Sequence, residues 1–114
     1  MPNSKLINIV TVTFNCVDHI ENTLLSIKAQ DYPNMRVIVI DGGSTDGTLE
    51  ILRSYEYLLD VFISENDEGI YDAMNKSIQF LAPGIVNYLN AGDVYSDYRT
   101  LSRVVDSFGD KTVF

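Results

Sequence analysis

Basic residues are scarce. Eight lysines and arginines face sixteen aspartates and glutamates, for a formal net charge of −8. Nonspecific nucleic-acid binding needs a basic surface, so no nucleic-acid partner is expected. There is one cysteine, Cys16, which excludes an intrachain disulfide and a cysteine-based zinc site. No motif marks that thiol as a nucleophile. The single histidine, His19, reads as a first-turn helix residue, and no Ser–His–Asp set assembles around it. No apolar run approaches the roughly 20 residues of a membrane span. Asn8, Thr11 and Thr13 interrupt the apolar stretch after Lys5, so no signal peptide is read. The expected setting is the reducing cytoplasm, with peripheral attachment to the inner face of a membrane left open. Low-complexity tracts, a Gly-x-Gly-x-x-Gly after a strand and a Gly-Lys-Ser/Thr phosphate loop are all missing.

What is present is alternation. A length of 114 residues with 46% hydrophobic content suits one domain or part of one. Strands are predicted at 7–14, 36–41, 60–64 and 85–89, and Thr112, Val113 and Phe114 read as another one beginning. That abrupt stop suggests part of a longer protein, with an exposed sheet edge that could pair two copies. Between the strands lie helical patterns. The first is opened by Asp18 as cap with Glu21 at the capping-box position, and buries Ile20, Leu24 and Ile27. The second, over 46–55, turns Leu49, Ile51 and Leu52 inward. The third carries Ile70, Met74, Ile78 and Leu81 on one face and ends at Ala82-Pro83-Gly84. The last carries Leu101, Val104, Val105 and Phe108. Strand–helix alternation predicts an α/β fold with a mostly parallel sheet and helices on both faces.

The most informative stretch is Val37-Ile38-Val39-Ile40-Asp41-Gly42-Gly43-Ser44-Thr45-Asp46-Gly47-Thr48. Four β-branched residues suit a central strand covered on both sides. The strand ends at a carboxylate, two glycines allow a tight turn and close approach of a ligand, and Ser44, Thr45 or Asp46 can cap the next helix. Ligands of open α/β sheets bind outside the carboxyl ends of the strands. Asn15, Asp41, Asn66 and Asp93 all stand at such ends.

Four segments together carry a resemblance: Ile9-Val10-Thr11-Val12-Thr13-Phe14-Asn15, the Asp41 stretch above, Ala73-Met74-Asn75, and Tyr88-Leu89-Asn90-Ala91-Gly92-Asp93. In order and spacing the chain resembles the family 2 glycosyltransferases, of Rossmann-like GT-A fold. The stretch from Ser64-Glu65-Asn66-Asp67-Glu68-Gly69 to Asn75-Lys76 is similar to a bacterial branch that builds capsular and exopolysaccharides.

The resemblance implies the nucleotide-sugar-binding, N-terminal part of a hexosyltransferase-type enzyme. It would use a UDP- or dTDP-sugar, a glycan or lipid-linked acceptor, and inversion at the anomeric carbon. Asp41 is expected to accept the ring N–H of a pyrimidine. In the family an acidic pair often occupies this turn, and here its second position is Gly42. Thr13, Asn15, Asp67, Asn75, Asn90 and Gly92 complete the implied nucleotide-binding set, with Asp72 and Lys76 as further candidates. The family's Asp-x-Asp-type metal motif is reduced to Asn90-Ala91-Gly92-Asp93, leaving Asp93 as the charged ligand for Mn2+ or Mg2+. A general base is expected beyond Phe114, so no catalytic residue is assigned within the chain. The competing reading is a noncatalytic nucleotide-binding or interaction module of the same fold. A phosphoacceptor domain of receiver type is disfavoured, because Phe14-Asn15-Cys16 stands where it needs acidic residues.

Overall fold

Four runs rich in β-branched residues become the strands. A computed structural model describes residues 5–108. In it β1 is Ile7–Thr13, β2 is Met35–Asp41, β3 is Val61–Ser64 and β4 is Ile85–Tyr88. They form one sheet in the order β3-β2-β1-β4, and every pairing is parallel. β1 and β2 run in register over seven residues, from Ile7 opposite Met35 to Thr13 opposite Asp41. Helices α1 (Ile20–Lys28), α2 (Thr48–Ser54), α3 (Ile70–Ile78) and α4 (Thr100–Phe108) fill the connections, with a single 3-10 turn at Glu56–Leu58.

The period of two along the strands sorts the core into layers. Ile7, Ile9 and Val37 pack with Ile27 of α1 and with Leu101 and Val105 of α4. Val39 meets Ile20 and Leu24 of α1 and Leu52 of α2. The alternate residues Val10, Ile38 and Ile40 face Ala73 of α3. So α1, α2 and α4 cover one face and α3 the other, as the alternation predicted. The chain winds outward from β1 through β2 to β3, then returns across the sheet to place β4 on the other side of β1. The strand order therefore reverses between β1 and β4, and such a reversal opens a crevice at the carboxyl ends of the two strands.

Three local expectations are corrected. Asp18 and Glu21 form no capping box: α1 begins after His19 with no side-chain cap. The amides of His19 and Ile20 are already taken by the Cys16 carbonyl, at 2.9 and 3.0 Å, and Glu21 instead accepts from the Tyr55 hydroxyl. The inward face of α3 is Ala73 and Ser77, while Ile70 and Ile78 are exposed and Met74 is only half-buried. The sheet beneath is already filled by large β-branched side chains, so the helix comes close only through small ones. At α2 the N-cap position falls on Gly47, with no side-chain cap, rather than on Ser44, Thr45 or Asp46; Asp46, one residue earlier, accepts from the Thr48 amide and hydroxyl at 3.0 and 2.6 Å. The strand expected at 112–114, the sheet-edge dimer contact expected there and the side chain of Phe108 lie outside the described residues. No helix among the described residues is long and apolar enough to cross a membrane.

Candidate functional site

Asp41 ends β2 fully buried. Oδ1 accepts from the hydroxyls of Thr13 and Ser44, both at 2.6 Å. Oδ2 accepts from the amides of Gly43 and Ser44, at 3.0 and 2.8 Å, and from the Ser64 hydroxyl at 2.8 Å. Burial pushes this carboxyl up, but the bonds from Ser44, Thr13 and Ser64 outweigh it and hold the group below the usual carboxylate range. Five donors saturate two oxygens. The expected role of Asp41 as an open acceptor for a base is therefore corrected. As folded, it ties the ends of β1, β2 and β3 together beneath the site.

A second set of bonds joins the loops after β1 and β2. Asn15, at φ +48°, accepts from the Thr45 amide through Oδ1 (2.8 Å), and its own amide donates to Ser44 Oγ (2.9 Å). The Cys16 amide donates to Thr48 Oγ1 and the Val17 amide to Asp46 Oδ2. The Asn15 side-chain oxygen is thus spent inside the protein.

The acidic loop after β3 folds back over the glycine turn. A Cβ on Gly42 would lie 2.9–3.1 Å from the Asp67 carboxylate, and one on Gly43 only 2.3 Å from Asn66 Oδ1. The two glycines thus make room for this loop as well as for a turn. Asp67 Oδ1 accepts from the Gly69 amide and Asp72 Oδ2 from the Glu68 amide, which settles the start of α3. Lys76 pairs with Glu65 (3.2 Å) and Asp72 (3.8 Å) and donates to the Asn66 carbonyl. Asp72 and Lys76 are therefore engaged in holding the loop.

At the end of β4 the Asn90 carbonyl accepts from the Asp93 amide, and Thr23 of α1 grips the turn, donating to the Asp93 carbonyl and accepting from the Gly92 amide. Asn90 Oδ1 is buried and has no hydrogen-bond partner among the described residues. The Asp93 side chain is exposed.

Between these ends lies a cleft of about 440 Å³ lined by Val12, Thr13, Phe14, Cys16, Gly42, Asp67, Gly69, Ile70, Asn90 and Ala91. It sits where the strand order reverses. A parallel α/β sheet of this order, with a cleft at the reversal, is what a nucleotide-binding fold requires.

The family model for glycosyl transferase family 2 matches residues 8–113. The chain belongs to glycosyltransferase family 2. An uncharacterized glycosyltransferase of Mycobacterium tuberculosis is 31% identical over 112 residues, covering 97% of this chain and 43% of the relative. A Bacillus subtilis glycosyltransferase named for teichuronic acid biosynthesis, TuaG, is 34% identical over 97 residues, 82% of this chain and 38% of the relative. Among solved structures, the mannosyltransferase PcManGT of Pyrobaculum calidifontis, in complex with GDP-Man and Mn2+, superposes with a TM-score of 0.83 at 27% identity, covering 93% of this chain and 33% of that one. Residues 1–349 of TarS from S. aureus, in complex with UDP-GlcNAc, give 0.79 at 27% identity, over 90% and 31%. The chain thus spans less than half the length of these relatives. The fold of this family 2 chain is GT-A, as the resemblance implied.

Of the residues singled out from the sequence, the cleft brings together Thr13, Asp67 and Asn90. Asp41 lies beneath it. Asn15, Gly92 and Asp93, on the flanking loops, and Asn75, exposed on α3, do not line it. Phe14, 61% exposed, and Ile70, 45% exposed, line it without having been singled out. An exposed aromatic at the end of a strand is a usable signal, but inside an apolar run it reads as one more strand residue.

A divalent cation can be tested against these residues. Among the described residues no group of three or more His, Cys, Asp or Glu is placed to hold one. What the turn after β4 offers is one unpartnered amide oxygen, Asn90 Oδ1, and one exposed carboxylate, Asp93. Mg2+ and Mn2+ commonly take only one or two protein oxygens when a bound diphosphate supplies the rest. The set fits a cation shared with a ligand and does not fit an all-protein site.

Proposed function

We propose that this chain is the donor-binding portion of an inverting glycosyltransferase of polysaccharide biosynthesis. It would serve transfer of a sugar from a UDP- or dTDP-sugar to a glycan or lipid-linked acceptor. One observation carries the reading: the cleft at the strand reversal ends on Asn90, whose buried oxygen has no partner within the described protein. An unmatched buried acceptor costs about 1–3 kcal/mol, a cost that a turn of the Asn90 amide toward a bound ligand would remove. TuaG and the UDP-GlcNAc complex of TarS support the reading, and the GDP-Man complex of PcManGT supports a nucleotide-sugar donor more broadly.

The residues divide the work. Phe14 offers a ring face to a base, beside Thr13. Asn15, Gly92 and Asn75 complete the proposed donor contacts. Asn90 and Asp93 would hold a divalent cation together with the donor diphosphate. Such a cation supplies Lewis-acid stabilisation of the charge left on the departing nucleoside diphosphate. The general base that deprotonates the acceptor hydroxyl is assigned beyond Phe114, consistent with relatives more than twice as long.

Calorimetric titration of the chain with UDP, dTDP, GDP and ADP, with and without Mn2+, tests this. Tighter binding of UDP or dTDP, strengthened by Mn2+ and weakened by Asp93→Ala, is expected. Equal affinity for all four overturns the donor assignment. Nucleotide binding indifferent to EDTA and to Asp93→Ala removes the metal role and favours a noncatalytic module.

A further inference from the structure

Thr23 stands inside α1 with its side chain fully buried. Valine has the same shape, so the hydroxyl must be explained by what it bonds. It donates to the Asp93 carbonyl at 2.8 Å and accepts from the Gly92 amide at 2.9 Å. The Asp93 amide donates to the Asn90 carbonyl at 2.9 Å. The backbone of Asp93 is thus held on both sides while its carboxylate stands in solvent. The same edge of α1 continues the grip. Ser26, three residues on, accepts from the Tyr95 amide. Gln30, just past the helix end, donates to the Asp97 carbonyl at 2.7 Å and accepts from the Leu101 amide at 3.0 Å. Between β4 and α4 the chain forms neither strand nor helix, and of residues 92–99 only Tyr95 is even half-buried. Apolar packing therefore does little to place this segment. The polar edge of α1 sets where it lies.

We propose that Thr23 is a positioning residue for the shared cation, its hydroxyl fixing the Gly92–Asp93 backbone so that the Asp93 carboxylate is presented to the metal before the donor arrives. The inference rests on the donor-site reading above. A single exposed carboxylate on an irregular segment would otherwise lose freedom each time it engaged an ion. Thr23 removes that freedom in advance, from beneath, without touching donor or metal. Groups that orient a metal ligand in this way are worth roughly 10–100-fold in metal affinity.

Calorimetric titration of the chain with UDP, with and without Mn2+, reads the effect. Thr23→Val keeps the shape and deletes the hydroxyl. It should leave UDP affinity without metal within about twofold of wild type and cut the gain from Mn2+ by about tenfold. Thr23→Ser keeps the hydroxyl and deletes a buried methyl. It should lower Tm by about 4 °C and keep the Mn2+ gain within about threefold of wild type. A merely structural role predicts the reverse, a gain that follows Tm in both variants. Thr23→Ala carries the comparison if the valine chain does not fold. Adding Thr23→Val to Asp93→Ala should cost nothing further in Mn2+ gain, since the first acts through the second. A second arm needs no variant: the Gly92 amide of the free chain should exchange with deuterium at least about tenfold more slowly than that of Val94, which has no hydrogen bond among the described residues. Equal exchange, or a Thr23→Val chain with the wild-type Mn2+ gain, overturns the positioning role and leaves the donor site standing. A wild-type chain that binds no UDP under either condition overturns the donor-site reading and this role with it.

Discussion

At the carboxyl end of β2, one buried carboxylate receives five hydrogen bonds from Thr13, Gly43, Ser44 and Ser64. At the carboxyl end of β4, on the same rim, a buried amide oxygen of Asn90 receives none among the described residues, and the next carboxylate, Asp93, stands in solvent. The first end is finished by the protein itself. The second carries a deficit of about 1–3 kcal/mol. A transferase site needs both conditions. The strand ends must be fixed before the donor arrives, and the groups that meet the diphosphate must be unspent when it does. The folded chain divides these tasks between two ends that flank β1.

Breaking the finished end should have the largest effect. Asp41→Asn preserves volume but sets an NH2 against donors that the carboxylate accepted, leaving buried amides or hydroxyls unmatched. A loss of about 3–5 kcal/mol is expected, read by urea unfolding. The same comparison has a pH form. The Asp41 carboxyl lies below its ordinary range because its hydrogen bonds outweigh burial. Its contribution is therefore complete above the ordinary carboxylate value near ~4 and is lost as pH falls through the lowered folded value. Acid titration of the wild-type chain should show that loss below about pH 4, and Asp41→Asn should flatten it. An unchanged acid profile in Asp41→Asn would mean that other carboxylates control acid stability.

Sequence patterning made the finished end visible and hid its closure. The run Val37-Ile38-Val39-Ile40 could only be a covered strand, and the glycine pair could only be a turn. A carboxylate at a strand end reads the same whether it is open or filled. The donors that fill Asp41 come from three separate segments, β1, the turn after β2, and β3, and no local pattern joins them. Likewise the apolar periodicity of α3 points to Ile70 and Ile78, whereas packing on a crowded sheet selects Ala73 and Ser77. Propensity and period describe an element alone, and the partner surface decides which face it buries.

The unfinished end should respond in the opposite sense. Asn90→Leu has similar volume and removes the unmatched oxygen, so stability without ligand should stay within about 1 kcal/mol of wild type or rise slightly. Affinity for UDP in Mn2+ should meanwhile fall by about tenfold, and the gain from adding Mn2+ should vanish. Chemical denaturation and calorimetry on the same variant read both. A loss of more than about 2 kcal/mol would show that Asn90 is partnered within the fold and would erase the contrast between the two ends.

The smallest structural effect belongs to Phe14, which connects them. It follows Thr13, which is bonded to Asp41, and lines the cleft with Asn90 while 61% exposed. A side chain that exposed contributes little to the fold, so Phe14→Ala should cost no more than about 0.5 kcal/mol. If its ring carries the base, stacking worth about 1–3 kcal/mol is lost, and UDP affinity falls about tenfold while Phe14→Tyr retains it. Binding of inorganic pyrophosphate with Mn2+ should not change, because only the base touches the ring. A parallel loss for pyrophosphate would mean that Phe14 shapes the β4 side of the cleft, and that the two ends are not independent after all.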